Sequence, residues 1–126
     1  MINAFPLVDE WMRFVVLRHS GVSSKPDHYD ILLEITVGDD DEDIALDKLE
    51  SKVDDLTSMR VDVDPQDMIR RRYLNYEGPM RDNRGFVIRV DEGRYKIRED
   101  GCLEFEGSLL KGFYHFEGEE DLVMVR

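Results

Sequence analysis

Two strand-like runs with a polar loop between them limit what this chain can fold into. The first is Arg13-Phe-Val-Val-Leu-Arg-His19, rich in β-branched and aromatic residues. The second is His28-Tyr-Asp-Ile-Leu-Leu-Glu34, expected to run as a strand from His28 to Ile35. Residues 20–27 (SGVSSKPD) are a loop by composition, and Pro26 biases Lys25 to an extended backbone. Successive strand side chains point to opposite faces. Tyr29, Ile31, Leu33 and Ile35 therefore share a face apolar enough to be the core. His28, Asp30 and Leu32 share the other face, expected to lie away from the core. A hairpin would bring His19 beside His28. Two imidazoles and a carboxylate converging on one point suit a divalent metal of the zinc or manganese kind. A His at a strand end is also an ordinary turn or surface residue, and spacing alone does not separate the two.

The chain has 126 residues, the length of one domain, and 41% of them are hydrophobic, enough for a modest core. Its formal charge is −12, from 17 basic and 29 acidic residues. That argues against non-specific binding to polyanions, which draws affinity from phosphate neutralisation. The charge is uneven: residues 1–58 hold 5 basic and 14 acidic residues, whereas residues 69–98 hold 9 basic and 4 acidic. The basic stretch either receives a phosphate locally or forms ordinary solvated strand faces. Cys102 is the single cysteine, so no intramolecular disulfide forms, which fits a reducing cytoplasm. The N-terminal MINAFPLVDEW lacks the basic flank and apolar run of a signal peptide. No run approaches the roughly 20 apolar residues of a membrane span. A cytoplasmic monomer without membrane contact is expected.

Pro6 to Met12 is expected to form a short helical turn, with Trp11 lying on the body of the domain. The acidic run GDDDED at 38–43 lacks the ligand order, central Gly and late Glu of a calcium loop. Residues 44–58 carry Leu46, Leu49, Val53 and Leu56 at helical spacing, which predicts a short amphipathic helix. Met59 to Val63 alternates and is expected to be a strand stopped by Asp64-Pro65. Residues 85–90, 94–98, 102–106, 112–117 and 121–126 read as strands punctuated by glycine. With Glu99-Asp-Gly101 as a three-residue loop, Ile97 faces Leu103, Tyr95 faces Phe105, Lys96 faces Glu104 and Arg94 faces Glu106. Apolar pairs then fall on one face and opposite charges on the other. A two-residue loop would spoil both faces. Arg94 and Lys96 are therefore read as structural partners of Glu106 and Glu104. The expected fold is mostly β: a small antiparallel β-barrel of seven or eight strands with one or two short helices.

The same residues resemble a known family. RFVVLRH (13–19) followed by HYDILLE (28–34) resembles the opening of the 3′-phosphoesterase domain of bacterial DNA ligase D, which reads roughly RFVVQKH, a loop, then HYDFRLE. Tyr73-Leu-Asn-Tyr-Glu-Gly-Pro79 resembles the family's YxDFEGxIP. Residues 85–95 resemble its GxVxxWDxGxY strand, and residues 103–112 its LxFxLxGxxLxG end. Residues 36–68 lie outside the resemblance, and there the family has a strand followed by a loop rather than a helix.

The resemblance implies a compact β-barrel that removes a 3′-terminal phosphate or ribonucleoside from DNA, in repair and end joining, beside a ligase or polymerase partner. It implies that His19, His28 and Asp30 hold a divalent metal, typically manganese, and that Tyr73 joins them in the active site. It also makes Ser23, Ser24 and Lys25 candidate phosphate contacts, although a plain polar loop is the stronger reading. Two positions depart from the pattern. The family's Arg in HYDFRLE is Leu32 here, and a further His falls at Ile69, between Met68 and Arg70. Leu cannot replace a bidentate phosphate donor. Arg70, Arg71 or Arg72 would have to supply that charge from another angle. The alternative is a catalytically impaired barrel that serves as an interaction module. Glu77 reads as an architectural acid accepting backbone N–H groups, and His115 as a surface strand residue.

Overall fold

The computed structural model describes residues 9–125. The elements are β1 (Met12–Val22), β2 (His28–Glu34), β3 (Ile44–Ser51), β4 (Arg60–Asp62), β5 (Asp64–Arg70), a 3-10 turn (Arg71–Leu74), β6 (Gly78–Pro79), β7 (Arg84–Ile97), β8 (Leu103–Glu106), β9 (Lys111–Glu117) and β10 (Asp121–Met124). They form one antiparallel sheet in the order β4-β10-β9-β8-β7-β1-β2-β3-β5, with β6 paired to β7. The mostly-β expectation holds. The described residues contain ten strands and no α-helix. Of the helical turn expected from Pro6 to Met12, residues 6–8 lie outside them, and residues 9–12 form no helix, Met12 opening β1.

The ladder is not closed, so this is not a fully hydrogen-bonded barrel. Its end strands, β4 and β5, are nevertheless consecutive in the chain, with only Val63 between them. The sheet must therefore curl until its ends meet. Ser51 Oγ donates to Asp62 Oδ1 at 3.1 Å, and the Lys52 N–H lies 3.2 and 3.1 Å from the two Asp62 carboxylate oxygens. These bonds tie the end of β3 to β4 across the seam. Pro65 does not stop a strand as expected. It sits inside β5, which pairs only with β3, and an edge strand tolerates the missing donor.

The helix expected over 44–58 is replaced by β3 and irregular chain. Leu46 and Leu49 have opposite strand parity, so they point to opposite faces, and both are buried. Leu49 joins the larger core with Phe14, Val16, Ile31, Leu33, Tyr95 and Phe105. Leu46 joins a second apolar cluster with Val15, Leu17, Leu32, Leu74 and Val87. A strand covered on both sides loses its period of two, and the spacing of three between these leucines then imitates a helix. The same second cluster overturns the expectation that the His28, Asp30 and Leu32 face lies away from the core.

The β7–β8 hairpin has the register read from the sequence: Ile97 pairs with Leu103, Tyr95 with Phe105, Lys96 with Glu104 and Arg94 with Glu106. Arg94 Nε lies 2.8 Å from Glu106 Oε1, and Lys96 Nζ 4.0 Å from Glu104 Oε1. Trp11 packs on the body of the protein through these cations, its ring centroid 4.1 Å from Arg94 Cζ and 4.5 Å from Lys96 Nζ. The segments expected at 85–90 and 94–98 are one strand, β7. A bulge between Val16 and Leu17 keeps it paired to β1 throughout.

Candidate metal centre

The β1–β2 ladder sets His19 opposite His28 and Leu17 opposite Asp30. The two rings are tilted, with centroids 4.8 Å apart. One ligand atom from each of His19, His28 and Asp30 lies within 4.8 Å of the others, and no other such group occurs among the described residues. All three side chains are buried. His115 is exposed on β9 and stands apart from them, as expected.

The outer nitrogen of each ring is held by a carbonyl. His19 Nε2 is 2.7 Å from the Arg84 oxygen, and His28 Nδ1 is 3.1 Å from the Pro26 oxygen. A carbonyl only accepts, so each of these nitrogens carries the ring proton. In a neutral ring the other nitrogen then presents a lone pair. Those inner nitrogens face the carboxylate: His19 Nδ1 is 3.0 Å from Asp30 Oδ2, and His28 Nε2 is 3.2 Å from Asp30 Oδ1. A lone pair facing a carboxylate is repulsive unless a cation, either a second ring proton or a metal ion, lies between them. Asp30 Oδ1 is also buried without an aligned hydrogen bond. A buried acceptor left in that state is costly. The donor set therefore fits a divalent ion held by His19 Nδ1, His28 Nε2 and Asp30. The carbonyls at Arg84 and Pro26 fix the tautomers in the manner usual around metal-bound imidazoles.

Gly85 makes the Arg84 contact possible. Its φ is 74°, and a Cβ placed there would stand 1.9 Å from the Ser20 carbonyl oxygen. Only a glycine lets β7 approach β1 closely enough to bring the Arg84 carbonyl to His19. The carbonyl of Arg84 was not foreseen as part of the site, because any residue type supplies one.

Glu50 extends the cluster from β3. Its Oε1 lies 3.2 Å from His28 Nε2 and 2.8 Å from Lys25 Nζ. Burial pushes the Glu50 carboxyl up, but the Lys25 hydrogen bond and the positive charges around it together leave it below the ordinary value. Lys25 thus serves Glu50 rather than standing free in the loop, while Ser23 and Ser24 are exposed.

The remaining candidates divide sharply. Leu32 is fully buried in the second apolar cluster, and Ile69 packs against that cluster, as does Tyr73. Leu32, Ile69 and Tyr73 line a cavity of about 210 Å³ that also reaches His19 and Asp30. Arg71 does not face it. Its guanidinium is buried and donates to the carbonyls of Asp40 at 2.8 Å and Thr36 at 3.0 Å, with Asp43 Oδ2 at 3.1 Å. Arg71 holds the acidic loop in place and is not positioned for substrate. Arg70 and Arg72 instead flank Glu42 beside a larger, adjoining cavity.

Glu77 accepts the Arg89 N–H at 3.0 Å, with Arg89 Nη2 at 3.3 Å, and these bonds hold its carboxyl below the usual range. It is architectural, as expected, but exposed. The buried acid that gathers backbone N–H groups is Asp91, which the sequence reading passed over.

No protein-family model matches the chain, and comparison with curated proteins finds no match.

Proposed function

We propose that this chain is a metal-dependent phosphoesterase, a relative of the DNA ligase D 3′-phosphoesterase domain. It would remove a 3′-phosphate or 3′-ribonucleoside from DNA ends in repair, or act on a smaller phosphate ester. The observation that carries this reading is the pair of inner imidazole nitrogens at 3.0 and 3.2 Å from the two Asp30 oxygens, with each outer nitrogen spent on a carbonyl.

A divalent ion held by His19, His28 and Asp30, manganese by the resemblance and zinc by the same donor set, would offset phosphate charge and polarise the scissile bond. The chain's own residues do the rest. The Pro26 and Arg84 carbonyls keep both imidazoles in the ligating tautomer. Leu17, Leu32 and Val87 exclude water from the apolar side of the site. Tyr73, whose ring meets Tyr76 edge-on at 5.9 Å, presents its hydroxyl as a donor to a phosphate oxygen. Arg70 lines the same cavity and supplies the charge that Leu32 does not.

The test is turnover of 3′-phosphate and 3′-ribonucleotide ends with added manganese. Activity that His28→Ala abolishes and Arg70→Ala lowers supports the reading. An Arg70→Ala protein with unchanged affinity and turnover removes Arg70 from it. One observation favours the second reading, a non-catalytic barrel acting as an interaction module: Leu32 is 0% exposed within an apolar cluster, where the family carries its arginine. A folded, metal-binding protein without turnover on any 3′ end would support that module.

A further inference from the structure

Arg70, Arg72, Arg81 and Arg84 line one cavity of about 500 Å³, on a protein of formal charge −12. Four guanidinium groups around one space repel one another unless an anion lies among them. One anion is supplied by the chain. Among the described residues Glu42 is the only acidic one lining the cavity, and it pairs with Arg70 Nε at 3.3 Å and with Arg72 Nη2. Among the described residues Arg81 and Arg84 meet no carboxylate; Arg84 Nε reaches only the Arg81 carbonyl, at 3.4 Å.

The backbone that carries Glu42 is fixed. The Arg71 N–H donates to the Asp43 carbonyl at 2.8 Å and the Arg72 N–H to the Asp41 carbonyl at 3.0 Å. The Arg71 side chain grips the same loop from inside. The Glu42 side chain itself is 58% exposed, so rotation about its own bonds withdraws it without moving the loop. Arg70, Tyr73, Met80 and Arg84 line both this cavity and the one containing His19 and Asp30. The two spaces therefore adjoin.

We propose that the arginine cavity is a second anion subsite for a nucleotide-sized ligand carrying two phosphate groups, and that Glu42 occupies it as a tethered competitor until the ligand arrives. The cavity volume lies within the range of small-molecule sites, roughly 300–1,000 Å³. Guanidinium forks match phosphate oxygens two at a time. Positive charge confined to one pocket captures a compact polyanion, whereas a long strand would need a basic track beyond it. Only the place of the second phosphate, beside His19 and Asp30, rests on the phosphoesterase reading. Anion capture by the arginines does not.

The experiment is calorimetric titration of the intact protein in chelator with adenosine 3′,5′-bisphosphate, adenosine 5′-monophosphate and a short single-stranded oligonucleotide. The bisphosphate binds about tenfold more tightly than the monophosphate, because the second phosphate gains charge-assisted bonds to Arg70 and Arg84, which line both cavities. Glu42→Gln tightens bisphosphate binding about fivefold, by removing an exposed competing ion pair. The double variant Arg72→Ala/Arg81→Ala weakens it about tenfold or more. Because the titration is run in chelator, failure of the metal site leaves this affinity unchanged, so loss of the metal site and loss of the arginine subsite read out separately. Thermal unfolding of each variant confirms that it is folded, as expected for exposed positions. Equal affinity for both adenosine phosphates, or no gain in Glu42→Gln, overturns the proposal. An oligonucleotide that binds more tightly than the bisphosphate overturns the assignment to a small ligand and points to a strand end.

Discussion

Asp30 and Asp91 sit on β2 and β7, the two strands that flank β1, and both are buried. Their surroundings answer that burial in opposite ways. Asp91 Oδ1 accepts the N–H groups of Glu92 at 2.9 Å and Ser108 at 2.7 Å, and Oδ2 those of Leu109 at 3.1 Å and Leu110 at 2.8 Å. Four peptide dipoles satisfy the charge, and no ion is needed. Among the described residues Asp30 receives no backbone N–H. Two imidazole nitrogens face it instead, and one of its oxygens has no aligned hydrogen bond. Asp91 fixes a turn and is surrounded by donors, whereas the ring nitrogens around Asp30 leave a geometry that could hold a cation. Polar groups left incomplete inside a folded protein mark function more often than architecture.

The contrast can be broken by mutation. Asp91→Ala strands four backbone donors, three of them in the 108–110 turn, and is expected to cost about 3 kcal/mol or more. Urea unfolding measures this, and a loss below about 1 kcal/mol would erase the distinction. Gly85→Ala is next. With φ at 74° and a Cβ 1.9 Å from the Ser20 oxygen, it is expected to cost about 2 kcal/mol. It should also shift the His19 ring resonances, because the Arg84 carbonyl must move. Unchanged His19 resonances would show that this carbonyl does not hold the ring.

Tyr95 gives a smaller effect with a definite sign. Its hydroxyl donates to the Glu34 carbonyl at 2.6 Å. Burial above all, then the charges of Asp47 and Glu34, push its pKa far above the ordinary tyrosine value. The folded state thus keeps a proton that the unfolded chain releases near pH 10. Stability from this group is complete below that pH and falls as pH rises above it. Tyr95→Phe should cost about 1 kcal/mol at neutral pH and flatten the loss of stability above pH 10. An identical alkaline profile would remove Tyr95 as its source.

The smallest effect on the metal-free protein belongs to Asp30→Asn, expected to change stability by less than about 1 kcal/mol, because it removes a charge that lacks donors. The wild type should gain about 2.7 kcal/mol at a hundredfold excess of metal over its dissociation constant, and Asp30→Asn should not. Equal gains in both proteins would take Asp30 out of the ligand set.

Much of this site was legible from the chain. Strand parity placed His28 and Asp30 on one face, and a simple hairpin brought His19 to them. The β7–β8 register followed from one glycine in a three-residue loop. What remained hidden has physical causes. Leu46 and Leu49 imitate a helix because β3 is buried on both faces. Arg70, Arg71 and Arg72 are equivalent in sequence, and only the acidic loop's carbonyls single out the middle one as structural. Asp91 looks like any turn-flanking acid until the chain from Ser108 to Leu110 folds its N–H groups around it.

The most direct test of the account is a metal titration followed by NMR at the imidazole rings. Manganese should selectively broaden the His19 and His28 resonances, and zinc should shift them, while the exposed His115 ring remains unaffected as an internal control. No response at millimolar metal, or an equal response from all three rings, would contradict a metal centre at His19, His28 and Asp30.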